Sequence, residues 1–224
     1  MVVPAIPGRW VHTSLRCVTI MIVIIDYGLG NLASIGNMLK RIGVEAIISS
    51  NKDAIARADK LVLPGVGAFD VGMRNLINRD LITILHERVL EERTPILGIC
   101  LGLQLFGTES AEGTGPGLGW IDARSIPFHS PPAGPSRVPH MGWNNLHPRT
   151  ASPLLDNLPE DSRFYFVHSY HLECHDPADV LAVTEYGYEF PSVVVHENVL
   201  GTQFHPEKSH RFGASLMENF ARYT

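Results

Sequence analysis

Between residues 21 and 99 short, continuous apolar runs alternate with helical patterns, and this constrains the fold more than any other feature of the chain. Met21 opens the first run, Ile22-Val23-Ile24-Ile25, which ends at Asp26-Tyr27-Gly28-Leu29-Gly30-Asn31. A helical period then sets Leu32, Ile35, Leu39 and Ile42 on one face until Gly43 stops it. Residues 44–48 and 60–63 read as further strands, the second running into Pro64-Gly65-Val66-Gly67. A long helical stretch, with Met73, Leu76, Ile77, Leu81, Leu85 and Val89 on its apolar side, leads to a strand at 95–99. Strands apolar at every position are buried on both faces, and intervening helices supply the crossovers. The pattern therefore predicts an α/β fold of three layers, a mostly parallel central sheet with helices on both faces.

After about residue 118 the texture changes. Short strands at 120–128, 143–146, 164–170, 180–184, 192–196 and 200–204 are separated by Pro, Gly and His, a spacing that predicts antiparallel or mixed additions to the same sheet. From Ser209 onward, Phe212, Leu216, Met217 and Phe220 mark a closing helix. With 224 residues and no repeat or linker, one domain over residues 21–224 is the simplest reading. Residues 1–20 carry Pro4, Pro7, Arg9 and Arg16 but no apolar stretch long enough for a signal segment or a membrane span. They read as a disordered N-terminal extension.

Composition excludes several classes. Lys and Arg total 18 against 23 Asp and Glu, a net charge of -5, and no dense basic run is present to track a nucleic-acid backbone. The cysteines, Cys17, Cys100 and Cys174, are odd in number and lack CxxC or CxxH spacing. Neither a disulfide framework nor a structural zinc site is expected, and a reducing cytoplasm fits best.

The strongest local signal is Gly98-Ile99-Cys100-Leu101-Gly102, where an apolar strand gives way to a helix containing Leu103, Gln104, Leu105 and Phe106. This is the nucleophile-elbow pattern with Cys for Ser. Flanking glycines remove side chains that would clash in the turn, and a helix N-terminus favours thiolate. Taken alone, the pentapeptide also fits a buried, inert cysteine. A nucleophilic thiol needs a base, and the base needs an orienting group. Gly201-Thr202-Gln203-Phe204-His205-Pro206-Glu207-Lys208-Ser209 supplies both. Pro206 biases His205 toward extended angles, in which side chains at i and i+2 share a side, so Glu207 can fix the imidazole tautomer that faces Cys100. For the oxyanion that attack on an amide creates, the candidate donors are the backbone N–H groups of Leu101 and Val66. Removing one such donor typically costs about 2.7 to 4 kcal/mol.

The segments GICLGLQLF, PGVGAF and QFHPEKS together resemble class I (triad) glutamine amidotransferases across residues 21–224. Within that family DYGLGN, PHMGWN at 139–144 and YFVHSYH at 165–171 are similar to the glutaminase subunits of imidazole glycerol phosphate synthase. The resemblance implies that Cys100, His205 and Glu207 form the triad and that L-glutamine is hydrolysed to glutamate and ammonia through a cysteine thioester. It also implies that Gln104 and Glu112 contact substrate, with backbone at Gly67, Ser169 and Tyr170 completing the pocket. The implied partner is the (β/α)8 cyclase subunit of imidazole glycerol phosphate synthase, a heterodimer that uses the ammonia in histidine biosynthesis. Asn31, Met141, Trp143, Tyr165 and Lys208 match positions at that interface. One departure is visible in Phe106-Gly107-Thr108-Glu109, where Gly lowers helix propensity by about 1 kcal/mol relative to Ala and predicts a shortened helix after the elbow.

Other readings remain at this stage: a glutaminase subunit of another biosynthetic synthase, against which PHMGWN argues, and a non-catalytic binding subunit on the same fold, which would be expected to lack the His or Glu partner. His140, His168 and His171 have no carboxylates at ligand spacing, so no metal is expected. The GLGN loop lacks the third glycine of a dinucleotide fingerprint and the lysine of a P-loop, so no cofactor is expected.

Overall fold

The computed structural model describes residues 20–129 and 137–224, so the expected extension at 1–20, Cys17 included, lies outside the described residues apart from Ile20. The first half is the expected alternation: β1 (Met21–Ile25), α1 (Leu32–Arg41), β2 (Glu45–Ser49), α2 (Lys52–Ala56), β3 (Lys60–Gly65), α3 (Phe69–Asn78), α4 (Ile82–His86), β4 (Ile96–Cys100) and α5 (Leu101–Gln104). The second half adds β5 (Glu109–Ser110), β6 (Ala123–Pro127), β7 (His140–Asn145), β8 (His147–Pro148), β9 (Arg163–His168), β10 (Tyr170–Cys174), β11 (Val180–Tyr186), β12 (Tyr188–His196), β13 (Val199–Thr202) and α6 (His210–Arg222).

The main sheet has the order β2-β1-β3-β4-β13-β12-β11-β8. Strands β2 to β13 in that order pair in parallel, and β12, β11 and β8 extend the sheet antiparallel. Alternate residues of the parallel strands feed two cores. Val23, Ile25, Leu61, Leu63 and Ile96 pack with Ile55, Phe69, Leu76 and Leu85 from α2 to α4. Ile22, Ile24, Val62, Leu97 and Ile99 pack with Ile35 and Leu39 of α1 and Leu216 and Phe220 of α6. Two opposite apolar faces require two helical layers, which gives the three-layer α/β architecture.

Three expectations need correction. First, only some of the later strands join the main sheet. β6 pairs with β10 and β5, and β7 with β9, in two separate small sheets. β9 is buried at alternate positions, whereas β3 and β4 are buried at every position. A strand with one buried face satisfies its pattern in a layer of its own. Second, the long helix through residues 73–89 is broken. α3 ends at Asn78, Asp80 turns with φ 55°, and α4 runs into a single π-helical turn at Glu87–Glu91. Asp tolerates that left-handed angle better than most residues. Leu76, Leu81, Leu85 and Val89 are buried as expected, but Ile77 is exposed. Third, the helix after the elbow is shortened, as Gly107 predicts, but α5 stops already at Gln104, so Leu105 and Phe106, expected within it, lie beyond it. α2 was not anticipated; its sequence signal is Asn51, whose side chain accepts the Ala54 N–H at 3.1 Å as an N-cap.

Candidate active site

Four parallel strand ends converge on one place. β4 ends at Cys100, which is held at φ 55° and ψ -107°, an angle a non-glycine residue adopts only when its surroundings enforce it. The enforcement is visible at the flanking glycines. A Cβ on Gly98 would lie 2.5 Å from the Phe106 ring and one on Gly102 only 1.8 Å from the Leu63 carbonyl oxygen, so the turn closes only because both are hydrogen. α5 is a single turn and supplies little macrodipole, so the groups touching the sulfur decide its surroundings. Two of them hydrogen-bond it: Gln203 Nε2 donates at 3.6 Å, and the thiol donates to the Val167 carbonyl at 4.0 Å.

His205 follows β13, and its backbone N–H donates to the Tyr165 carbonyl at 2.9 Å. Its Nδ1 donates to Glu207 Oε1 at 2.8 Å, and that oxygen also accepts from Asn31 Nδ2 at 3.0 Å. The two side chains are 1 % and 2 % exposed. They meet differently from the sequence expectation: Pro206–Lys208 is a 3-10 turn, not an extended segment, and the turn folds the carboxylate back onto the ring. With Nδ1 donating to a carboxylate, Nε2 is left free, and among the described residues it makes no hydrogen bond. Burial pulls His205 down, but the nearby Cys100 thiol and the Glu207 carboxylate outweigh it and raise the imidazole to about 9. Burial likewise raises Glu207, and His205 and Asn31 reverse this, holding the carboxyl below its ordinary range.

Cys100 opens into a cavity of about 580 Å³. Every expected pocket residue lines it: Val66, Gly67, Leu101, Gln104, Glu112, Ser169 and Tyr170. Asn31 and Lys208 stand at the same wall, with Pro139, Val167 and His168, which the sequence reading had not placed there. Gln104 Nε2 donates to the Tyr170 carbonyl at 2.9 Å and to Gln203 Oε1 at 3.1 Å. Glu112 Oε2 accepts the Phe69 N–H at 2.8 Å, so it also ties the start of α3 to the cavity. Gln203 is the residue the sequence reading missed; it sits inside the QFHPE segment, but nothing in the pattern says which way a glutamine side chain turns.

Of the expected interface residues, Met141 and Trp143 are 62 % and 45 % exposed and point out from β7. Trp143 meets Tyr165 edge-on at 5.9 Å, and Lys208 Nζ lies 5.6 Å from the Tyr165 ring centre. The histidines are hydrogen-bonded to one another and to backbone: His140 Nδ1 to His168 Nε2 at 3.1 Å, and His168 Nδ1 to the Tyr170 carbonyl at 2.8 Å. Burial, followed by Asp179 and Asp176, pushes the Cys174 thiol up to about 12. Among the described residues no helix is long and apolar enough to cross a membrane.

Known proteins resemble this chain in sequence and in fold. The HisH 2 subunit of imidazole glycerol phosphate synthase from Pseudomonas aeruginosa is 51 % identical over 200 residues, which covers 89 % of this chain and 98 % of that protein. The HisH 2 subunit from Methanococcus maripaludis is 52 % identical over 202 residues, 90 % of this chain and 99 % of that one. A glutamine amidotransferase crystal structure superposes with a TM-score of 0.70 at 20 % identity, covering 90 % of this chain and 97 % of the other, a likeness of fold. The family model described as glutamine amidotransferase class-I matches residues 23–223, and this chain belongs to that family.

Proposed function

We infer that this chain is the glutaminase subunit of an imidazole glycerol phosphate synthase, hydrolysing L-glutamine to glutamate and ammonia for histidine biosynthesis. The observation that carries the reading is the buried chain Asn31–Glu207–His205 ending beside Cys100, at the floor of a cavity wide enough for an amino acid. Cys100 Sγ attacks the side-chain amide carbon of glutamine, and His205 holds the thiol proton on Nε2. The oxygen of the tetrahedral intermediate takes the N–H groups of Leu101 and Val66. His205 then protonates the departing nitrogen, ammonia leaves, and a γ-glutamyl thioester remains on Cys100. His205 next takes a proton from water, the hydroxide adds to the thioester carbon, and glutamate leaves as the sulfur is restored. Glu207 keeps Nδ1 protonated throughout, with Asn31 fixing its oxygen. Gln104, Glu112 and the backbone of Gly67, Ser169 and Tyr170 bind the glutamine.

Ammonia in neutral water is mostly ammonium and not nucleophilic, so it has to reach its acceptor without crossing bulk solvent. The partner is a (β/α)8 cyclase subunit, received on the face where Met141, Trp143 and Tyr165 stand exposed or half-buried beside Lys208, which lines the cavity. An apolar patch of this kind is what a permanent partner covers. Residues 21–224 make up the catalytic domain, with residues 1–20 as an extension. A cytoplasmic location follows from the thiol chemistry and from the biosynthetic partner.

The test is glutamate release by the purified chain, alone and with a cognate cyclase plus its ribonucleotide, beside Cys100→Ala. Activity that depends on the partner and disappears in the variant supports the reading. Activity unchanged in Cys100→Ala overturns Cys100 as the nucleophile, and activity absent under every partner condition leaves a non-catalytic binding subunit instead.

A further inference from the structure

Gln203 has a fully buried, uncharged amide immediately behind the nucleophilic sulfur. Glutamine is seldom buried completely, and an amide in that position must be satisfied at both ends. Its backbone N–H donates to the Ser192 carbonyl of β12 at 3.0 Å, which holds the residue at the end of β13, inside the sheet. Its side chain joins a directional network. The Tyr170 carbonyl can only accept, so the amide nitrogen of Gln104 faces it, at 2.9 Å. That nitrogen can only donate, so Gln203 turns Oε1 toward it, at 3.1 Å. Gln203 Nε2 is left pointing at Cys100 Sγ, 3.6 Å away. The flipped amide would set two NH2 groups against each other and an oxygen against the sulfur.

We propose that Gln203 is the hydrogen-bond donor that holds the Cys100 sulfur as thiolate, and that Gln104 fixes the orientation in which it does so. This rests on the reading of Cys100 as the nucleophile. The Val167 carbonyl at 4.0 Å accepts from the thiol but has nothing to offer the thiolate, whereas the Gln203 N–H bond strengthens when the sulfur becomes charged. A primary amide neither takes nor releases a proton near neutral pH, so Gln203 favours the anion without competing with His205 for the proton. Gln104 consequently has two roles, lining the cavity and setting the amide behind the sulfur. His168, which also donates to the Tyr170 carbonyl at 2.8 Å, braces the far end of the network.

The experiment is the rate of Cys100 alkylation by iodoacetamide between pH 5 and 10 on the full chain, read by peptide mass mapping so that Cys17 and Cys174 are counted apart. In Gln203→Met the midpoint of the rate-against-pH curve moves up by about one pH unit, with about a tenfold slower reaction at pH values below the wild-type midpoint. The high-pH plateau is unchanged. Gln104→Leu, which frees Gln203 to turn, moves the midpoint the same way by less. A merely structural role would lower the melting temperature or the plateau and leave the midpoint in place. If Gln203→Met does not fold, the smaller Gln203→Ala decides, because it too removes the donor and adds no charge. A folded variant of either kind with the wild-type midpoint overturns the proposal and leaves the triad standing. A wild-type Cys100 that reacts no faster than Cys174 at neutral pH overturns the nucleophile reading, and this proposal with it.

Discussion

Replacing Gly102 by alanine tests whether the geometry of the elbow carries the activity. A Cβ at this position would stand 1.8 Å from the Leu63 oxygen and 2.9 Å from its carbonyl carbon, against a floor of 3.0 Å for real contacts. Both atoms are backbone, so no rotamer change relieves the clash, and α5 or the end of β3 must move by more than an ångström. Gly65, two residues beyond Leu63, is in register with Cys100, and Val66 follows with one of the two oxyanion donors. The displacement therefore separates donor from sulfur. A misplacement of 1 Å costs on the order of 10²-fold in rate, and overpacking of this kind about 1–3 kcal/mol in stability. The assay is glutamate release by the complex with cyclase and ribonucleotide, at a temperature well below the melting transition, beside a thermal melt. Gly43→Ala is the control: at φ 77° with nothing within 4 Å it has backbone strain but no clash, so it loses about 1–2 kcal/mol of stability and keeps its activity. A folded Gly102→Ala chain within threefold of wild-type activity would refute the argument, as would equal losses in the two variants.

Burial pushes His140 down to about 4, and His168 and His171 are depressed for the same first reason. Below pH 6.5 the unfolded chain binds protons that the folded chain refuses, so this stability is present above pH 6.5 and lost as pH falls toward 4. His140 alone accounts for on the order of 1–2 kcal/mol between pH 7.5 and 5, and equal melting temperatures at the two would contradict it. His205 has the opposite sign: its contribution is full below pH 6.5 and is lost as pH rises through about 9. Glu207→Gln removes one of the groups that raise it, so the His205 midpoint followed by NMR should fall; an unmoved midpoint counts against the pairing. The Tyr27 hydroxyl is buried with no partner among the described residues, and burial above all keeps it un-ionised. Tyr27→Phe should therefore stabilise the chain by about 1 kcal/mol in a denaturant titration, and a loss of that size would reveal a bond the hydroxyl makes after all.

Local chemistry was legible in the chain itself. Apolar runs without alternation announced strands buried on both faces, and β1, β3 and β4 are those strands, because burial on two sides demands that composition. Glycine on each side of Cys100 announced a turn with no room for side chains, since a clash between a Cβ and nearby backbone is a local fact. Which strands share a sheet was not legible: β6, β7 and β9 are as short and polar-flanked as β11, and only packing against what lies beneath assigns them to separate layers. Residues 73–89 kept their helical period through the break at Asp80, because periodicity records which face is buried and not whether the backbone is continuous.

The same division runs through the site. Residue type and spacing within one segment sufficed to pair His205 with Glu207, although a 3-10 turn and not an extended strand brings them together. The two contacts that complete the site span 176 and 103 positions: Asn31 with Glu207, and Gln203 with Cys100. A side-chain amide is chemically neutral in a sequence; whether it binds a partner, orients a carboxylate or caps a sulfur depends on what the fold sets against each of its two ends. The sequence by itself determined the parallel core with helices on both faces, the elbow and the identity of the reactive groups, because those follow from local sterics and burial. The tertiary structure alone decided which distant donors and acceptors meet at the sulfur and at the base, because hydrogen bonds are directional and their partners are chosen in space.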